Sequence, residues 1–259
     1  MDEILLEFKE DIKSIRQSIL LLEILRKRKW IEEISNIELE EDENIKALIN
    51  QTNQCITAFT KVEGSLILYV AGRFENYVRT IFEETCVKIS ENKGSYQALH
   101  KNMKDNIVKF TAEVIANPRK YNHGEGGVTT FVKNLYENII NDNITEINYQ
   151  CLSITTENMK SSIIQELFER IGICKIWESI SEQSALKIFF KSTDRDFTAN
   201  RAKKMLDALM RLRNDIAHPS NGITWPDSNK IIEYISFLDV LAGVIKEVVV
   251  MHITSYESE

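Results

Sequence analysis

A fixed cation, an amide and an imidazole occur within six consecutive residues of this chain, at Arg213, Asn214 and His218. A guanidinium group neutralises phosphate charge through its rigid fork of N–H donors. An imidazole, whose ordinary pKa is about 6.5, accepts and donates protons near neutral pH. An arginine and a histidine held close together therefore form a minimal set of groups for cleaving a phosphodiester bond without a metal ion.

The segment that positions these groups has the apolar spacing of a helix. The sequence predicts this helix from about residue 197 to residue 218, with Pro219 as its stop. At about 100° per residue, one narrow sector contains the residues that we predict to be buried, namely Met205, Leu209, Leu212 and Ile216. The opposite face carries Asp207, Arg211, Asn214 and His218, and Arg213 falls beside the apolar stripe.

Arg213 and His218 do not point the same way on a straight helix, because five residues rotate the side-chain direction by about 140°. Either the last turn deforms before Pro219, or two copies of the chain meet at this point. A two-fold dimer through this helix end would place two histidines and two arginines in one cleft. Asn214 precedes His218 by four residues, a spacing that allows its amide to orient the imidazole.

The charge is unevenly distributed along the chain. The formal net charge of −7 argues against indiscriminate binding to nucleic acid. Residues 186–218 nevertheless carry eight basic and four acidic residues, and the acidic excess lies elsewhere, notably at residues 38–43. The basic residues that we expect to bind an RNA backbone are Arg201, Lys203, Lys204 and Arg211. The alternative is an ordinary solvated helix face on which Arg211 pairs with Asp207.

Few residues interrupt helices in this chain, which predicts an all-α fold. The 259 residues include only three prolines and nine glycines. The spacing predicts helices at about residues 2–34, 38–90 (with an interruption near Gly64), 96–116, 128–140, 156–170, 176–190 (one or two short helices), 197–218 and 227–253. Gly172 is a predicted C-terminal cap, and the glycine-rich segment 121–127 is predicted to be a flexible loop.

The cysteines and the terminal sequence indicate the compartment. The four cysteines have no paired spacing, so we expect reduced thiols in the core and no disulfide framework or zinc site. The acidic start lacks the features of a signal peptide, and no apolar run approaches the roughly 18 residues of a membrane span. We therefore expect a soluble, cytoplasmic protein that binds no membrane and needs no metal or other cofactor.

The motif resembles that of nucleases of the HEPN superfamily, which carry an arginine, usually a polar residue after it, and a histidine four to six positions beyond the arginine. Residues 69–77 and 158–173 are also similar to segments of prokaryotic HEPN proteins of the RiboL-PSP type. The resemblance covers about residues 55–255. It predicts an N-terminal helical extension at residues 1–54 and a HEPN-like domain at residues 55–259. Relatives often have glycine where this chain has Pro219, which changes the exit of the chain more than the chemistry.

The resemblance implies an all-helical bundle that dimerises through the motif helices and, in many members, cleaves RNA without a metal. Products with 2′,3′-cyclic phosphate ends, a target such as tRNA, and a role in anti-phage defence or beside an antitoxin are the corresponding expectations. Arg213, Asn214 and His218 would be catalytic, with Glu75 and Asp215 supporting them. Two alternatives stay open. One is a non-catalytic HEPN-type scaffold that binds RNA, a nucleotide or a protein, and the other is a purely structural helical domain.

Overall fold

The computed structural model describes residues 1–27, 43–121, 124–218 and 224–257, and these residues form helices and no strands. The helices are α1 (Asp2–Lys27), α2 (Glu43–Gln54), α3 (Ile56–Lys93), α4 (Lys101–Ala116), α5 (Glu125–Ile140), α6 (Tyr149–Leu152), α7 (Ser161–Glu169), α8 (Ile176–Glu182), α9 (Ser184–Phe190), α10 (Arg195–Ala217) and α11 (Ser228–Glu257). A short 3-10 turn (Pro118–Tyr121) follows α4. The predicted all-α fold is confirmed.

Some helix ends lie close to their predicted positions, and others differ because of local capping interactions. α3 ends at Lys93, three residues beyond its predicted end at about residue 90, and Gly94 follows it with a φ of 67°. Gly172, with a φ of 95°, turns the chain just after α7, as expected of a C-terminal cap. The predicted start of α4 at residue 96 is wrong, because His100 caps the helix by accepting the N–H of Asn102 through Nδ1 at 3.1 Å.

Four further predictions need correction or fall partly outside the described residues. The segment predicted as a loop at 121–127 is shorter, because α5 already begins at Glu125; residues 122–123 lie outside the described part. α7 begins at Ser161 instead of residue 156, and α6 was not predicted. The predicted helix over residues 28–34 and the acidic start at residues 38–42 also fall outside the described residues.

The chain divides into two compact units, and each combines segments that are distant in sequence. The larger unit comprises Met1–Leu5, Glu75–Asp207 and Val240–Glu259. The second unit comprises Leu6–Phe74 and Ala208–Asp239, and it is called the motif unit here because it contains Arg213 and His218. The predicted division at residue 54 stays a prediction.

The motif unit has a core of apolar residues with helical spacing. On α1 the buried residues are Phe8, Ile12, Ile15 and Ile19, each three or four positions from the next. The rings of Phe8 and Phe74 lie 6.0 Å apart, which joins α1 to α3. Each fully buried side chain of this size contributes about 1.5–3 kcal/mol to folding.

Polar contacts join the same two helices. The Arg73 guanidinium donates to the carboxylates of Glu7 (2.5 Å) and Asp11, both on α1. The Tyr69 hydroxyl donates to the other oxygen of Asp11 at 3.0 Å. These carboxylates raise the pKa of Arg73, with Glu7 as the largest contribution. The Arg73 side chain is thus already occupied within the motif unit.

The larger unit is built around α3, α4 and α7. The rings of Phe82 and Phe168 meet edge-on at 5.7 Å, and the Tyr77 hydroxyl donates to the carbonyl of Ala242 at 2.7 Å. Burial raises the pKa of Tyr77 far above its ordinary value, so the hydroxyl stays protonated. Arg170 is only 7% exposed, and it donates to the carbonyls of Leu152 (2.7 Å) and Ile154 (2.8 Å).

The cysteines are free thiols, and their environments differ. Cys86 and Cys151 are buried, as predicted for core thiols, and burial raises the pKa of Cys151 to about 11. Cys174 is exposed and Cys55 is half-buried, so the prediction of a core position is wrong for Cys174. No single helix among the described residues has the length and apolar composition of a membrane span, although α2 and α3 pass that test together as a bent pair.

Candidate active site at the end of α10

The motif occupies the last turn of α10, in the motif unit. α10 ends at Ala217, and His218 is the first residue after it. The backbone N–H of His218 still donates to the carbonyl of Asn214 at 2.9 Å. Because a residue that precedes proline is disfavoured in the helical conformation, the His218-Pro219 sequence ends the helix at this point.

The buried face of α10 is rotated relative to the predicted stripe. Within the motif unit, Leu209, Met210 and Ile216 are buried, whereas Leu212 is only half-buried. The same correction applies in the larger unit, where Leu206 is buried and Met205 is half-buried. The prediction was correct for Leu209 and Ile216 and wrong for Met205 and Leu212.

This rotation changes the position of Arg213. Arg213 follows Met210 by three residues and Leu209 by four, so it continues their buried row. Its side chain is half-buried accordingly. The aliphatic part of an arginine can cover apolar neighbours while the guanidinium reaches solvent, and this geometry suits a cation that must meet an external phosphate.

Asn214 contacts the arginine through its side chain and the histidine through its backbone. The Arg213 Nη1 donates to the Asn214 side-chain oxygen at 3.2 Å. The contact between Asn214 and His218 is the backbone hydrogen bond of the last helical turn. The structure therefore brings Arg213 and Asn214 together, and the orienting role of the Asn214 amide toward the imidazole stays a prediction.

The remaining motif residues face solvent. Arg211, Asp215 and His218 are all exposed. With the described residues, none of the three side chains forms an ion pair or a hydrogen bond. An accessible imidazole and an accessible guanidinium therefore lie on the same turns of α10 as the half-buried Arg213.

The other predicted basic residues belong to the larger unit, at the N-terminal part of α10. The Lys203 ammonium lies 6.0 Å from the ring centre of Trp177, and the Arg201 guanidinium lies 5.9 Å from that of Phe197. Lys204 and Arg201 are exposed, and Lys203 is half-buried. Cations over aromatic rings at about 6 Å are weakly held, so their charge stays available to a ligand.

Asp207 and Glu75, two acidic residues singled out from the sequence, lie in the larger unit and have hydrogen-bond or ion-pair partners there. The Asp207 carboxylate accepts the backbone N–H of Ser161 at 2.8 Å and the Ser161 hydroxyl at 2.9 Å, at the start of α7. The predicted solvent-facing position of Asp207, and the alternative pairing of Asp207 with Arg211, are therefore wrong. Glu75 pairs with Arg79 at 3.0 Å, one turn further along α3.

A buried polar cluster that the sequence did not predict holds the chain after the motif. Glu63 is completely buried on α3, and its Oε2 accepts from Arg26 at 2.6 Å and from the Ser228 hydroxyl at 3.1 Å. An added Cβ on Gly64 would lie 2.3 Å from the ring of Trp225. Ser228 and Trp225 both follow the motif in sequence, so Glu63 and Gly64 fix the return of the chain into α11.

Gly64 was the one sequence signal for this cluster, and it was misinterpreted. It was predicted to interrupt a helix, but α3 runs through it from Ile56 to Lys93 without a break. A glycine inside a helix costs about 1 kcal/mol relative to alanine, so such a residue commonly marks a close approach. Here the approaching group is the Trp225 indole ring.

In the described part of the chain, no group of three or more histidine, cysteine, aspartate or glutamate side chains is placed to hold a metal ion. A family model described as RiboL-PSP-HEPN matches residues 26–250. No curated protein and no solved structure matches the chain. The match extends across most of the chain and includes the whole of α10 and its motif.

Proposed function

The chain belongs to the RiboL-PSP-HEPN family, and from that premise we propose that it is a metal-independent endoribonuclease that acts as a homodimer. The observation that supports this proposal most strongly is the accessibility of the motif side chains. His218 is exposed, Arg213 is half-buried beside Asn214, and neither side chain forms an ion pair with a described residue.

Each motif residue has a role in the proposed reaction. The ribose 2′-oxygen attacks the adjacent phosphorus while the bond from phosphorus to the 5′-oxygen breaks. One His218 imidazole accepts the proton of the 2′-hydroxyl, and an imidazolium protonates the leaving 5′-oxygen. The products are a 2′,3′-cyclic phosphate and a 5′-hydroxyl. DNA lacks the 2′-hydroxyl and is not cleaved.

Arg213 stabilises the additional negative charge of the pentacoordinate phosphate. A guanidinium supplies two parallel N–H donors to phosphate oxygens, and a group positioned before the reaction needs little reorganisation. Asn214 holds Nη1 of this guanidinium at 3.2 Å, which limits its rotation. We assign Asn214 as the residue that positions Arg213, in addition to its predicted role toward His218.

The helix geometry and the number of proton transfers support the proposed homodimer. Arg213 and His218 are about 140° apart around an ideal helix. Two copies related by a two-fold axis would supply one imidazole as base and the other as acid, together with two guanidinium groups. We therefore place the scissile linkage between two protomers.

The remaining cations would bind the RNA backbone. Arg211 is exposed on the motif unit, and Arg201, Lys203 and Lys204 form a separate basic group on the larger unit. Contacts of this kind act on phosphate charge, so they are independent of base sequence and weaken with salt. A single-stranded RNA or tRNA substrate, and a role in anti-phage defence or under the control of an antitoxin, complete the proposal.

Cleavage in the presence of a chelator tests the proposal. Purified protein is incubated with tRNA and with a single-stranded RNA in EDTA, and a DNA of the same sequence serves as the control. We expect cut RNA with cyclic phosphate ends and intact DNA. A requirement for Mg²⁺, or equal cleavage of DNA, contradicts the mechanism.

A second candidate is a non-catalytic HEPN-type scaffold, and the position of Arg213 in line with Leu209 and Met210 favours it. In a scaffold, this arginine would support packing or assembly. Expression in bacteria separates the two candidates. Growth arrest by the wild-type protein that His218→Ala relieves indicates the nuclease, whereas unchanged growth together with altered RNA binding indicates the scaffold.

A further inference from the structure

The larger unit contains a polar cavity of about 350 Å³ that the proposed nuclease does not use. Three segments form its wall: α3, the 3-10 turn, and the end of α6 with the residues that follow it. The lining residues are Arg79, Glu83, Lys120, Tyr121, Gln150, Ser153, Ile154 and Thr155. Seven of these eight residues have side chains that bind through charge, hydroxyl or amide groups, so the cavity suits a polar ligand.

The wall formed by residues 153–155 is fixed from behind by Arg170. Its Nη1 donates to the carbonyls of Leu152 at 2.7 Å and Ile154 at 2.8 Å, and its Nη2 donates to Glu166 at 2.9 Å. The guanidinium also lies 4.0 Å from the ring centre of Phe110. A wall held by buried hydrogen bonds is already in position before a ligand arrives, which favours binding.

Arg79 is the cation with unused donors. Its Nη2 donates to Glu75 at 3.0 Å and to the Thr155 hydroxyl at 3.2 Å. Its Nε is buried and has no hydrogen-bond partner among the described residues. Arg170 also leaves its Nε without such a partner, but that guanidinium stacks on Phe110, whereas Arg79 lines an open cavity. Because that Nε has almost no accessible surface, a ligand in the cavity would meet the exposed part of the Arg79 guanidinium, whose side chain is 37% exposed.

Lys120 supplies a second cation, and Glu83 supplies an acceptor. The Lys120 ammonium lies 4.9 Å from the Tyr121 ring centre and 3.7 Å from the Glu113 carboxylate. Tyr121 is the largest contributor to a raised pKa of Lys120, so this side chain is cationic at neutral pH. Glu83 accepts the Ser153 hydroxyl through Oε1 and has a second oxygen with which to accept further donors.

We propose that this cavity binds a small ligand that carries both an oxyanion and hydroxyl groups, the chemistry of a sugar phosphate. Arg79 and Lys120 bind the phosphate oxygens, because a guanidinium and an ammonium are the strongest donors in the cavity. Glu83 and the Gln150 amide bind the sugar hydroxyls, since a carboxylate accepts from vicinal hydroxyl groups. The volume lies at the small end of ligand cavities, which suits one phosphorylated sugar. The site does not rest on the proposed nuclease.

Calorimetric titration of the full chain tests this assignment with ribose 5-phosphate, ribose, inorganic phosphate and a mononucleotide. We expect ribose 5-phosphate to bind and to raise the melting temperature, and ribose alone to do neither. We expect inorganic phosphate to bind at least about tenfold more weakly than ribose 5-phosphate, because it engages only the cations. The mononucleotide shows whether the cavity also admits a base. Binding of neither phosphorylated sugar at millimolar concentration, or equal binding of inorganic phosphate and ribose 5-phosphate, overturns the proposal.

Variants locate the ligand. Lys120→Ala removes an exposed cation and is expected to weaken ribose 5-phosphate binding about tenfold, as is Glu83→Gln. Lys175→Ala is the matched control, because Lys175 also pairs with a glutamate at 3.7 Å but lies outside the cavity. Equal affinity in the Lys120 and Lys175 variants contradicts the site. Arg79→Gln adds a third measurement where that variant folds.

Discussion

Arg170 and Arg213 both lie close to the C-terminal end of a helix, but their guanidinium groups differ in how many contacts they make with the rest of the protein. Arg170 is 7% exposed and donates to two carbonyls and one carboxylate, with Phe110 beneath it. Arg213 is half-buried and donates to its sequence neighbour Asn214. One cation is held within its unit by several strong contacts, and the other keeps donors for a group that comes from outside.

The difference shows how to separate structural from functional residues in a family motif. Segments 69–77 and 158–173 lie within the residues that the family model matches, as do the residues around His218. Yet the charged side chains at Arg170 and Arg73 are occupied by neighbouring helices and loops of their own units. Of these three segments, the end of α10 is the one that carries an exposed histidine and a half-buried arginine with no ion pair to a described residue. We therefore expect the first two segments to govern stability and the third to govern catalysis.

The largest expected effect is the loss of cleavage in His218→Ala. General acid–base transfer contributes about 10²–10⁴-fold to a rate, so RNA cleavage in EDTA should fall by at least that factor. Because His218 is exposed, the melting temperature should stay unchanged. His252→Ala is the matched control and should cleave normally. A His218→Ala protein with wild-type activity contradicts the assigned role.

Arg213→Ala should lower cleavage by about 10²–10³-fold, the usual effect of removing one preorganised charge from a transition state. Arg213→Lys keeps the charge and loses the donor fork, so it should recover only part of the rate. Single-turnover rates and the oligomeric state are measured together. A loss of rate that follows only from dissociation of the dimer would assign Arg213 to assembly and favour the scaffold.

Arg170→Ala should chiefly affect stability. The change leaves the Leu152 and Ile154 carbonyls without their donor, and each unsatisfied buried group costs about 1–3 kcal/mol. We expect a loss of about 3 kcal/mol in the free energy of unfolding, measured by denaturant titration. Arg195→Ala removes a half-exposed arginine with surface ion pairs and should have no measurable effect. Equal stability of the two variants would contradict the structural role assigned to Arg170.

Gly64→Ala should destabilise the motif unit, because the new methyl group would lie 2.3 Å from the Trp225 ring. Overpacking of this kind costs about 1–3 kcal/mol. Gly72→Ala lies on the same helix with no atom within 4 Å, so it should be neutral or stabilising by up to about 1 kcal/mol. The difference between the two melting temperatures is the measurement, and its absence would show that Trp225 is not seated on Gly64.

The smallest expected effect concerns Arg211. Arg211→Ala should weaken RNA binding a few-fold and reduce the slope of log affinity against log salt by about one phosphate contact. Cleavage at saturating RNA should stay near the wild-type rate, since Arg211 is assigned to binding alone. Binding is measured by fluorescence anisotropy over a range of salt concentrations. A loss of saturating rate instead would place Arg211 among the catalytic groups.

The apolar stripe of α11 could be predicted from the sequence, and that of α10 only in part. The three- and four-residue spacing of apolar residues on α11 predicts a buried stripe, and all of its members are buried, namely Ile231, Ile235, Leu238, Leu241, Ile245 and Val248. Between Met205 and Ile216, α10 has seven apolar residues spread over a wide sector. Sequence periodicity does not show which edge of such a sector is buried against other helices. That edge is determined by the packing of helices that are distant in the sequence.

The contacts that hold the site in place could not be predicted, because they join residues far apart in sequence. Glu63 and Ser228 are 165 positions apart, and Asp207 and Ser161 are 46 apart. No short sequence pattern predicts a hydrogen bond between residues so far apart. The motif could be found from the sequence because its residues are adjacent and their chemistry is distinctive. The exposure of its side chains depends on how α10 packs against other helices, which the sequence does not show.

The most direct test of the central claim uses one RNA oligonucleotide in EDTA, incubated with the wild-type protein and with His218→Ala, with products identified by mass spectrometry. We expect fragments that end in a 2′,3′-cyclic phosphate with the wild-type protein, and intact RNA with the variant. We also expect one 2′-deoxy substitution at the cut position to block cleavage there. Intact RNA with the wild-type protein, or the same fragments from both proteins, would contradict the central claim.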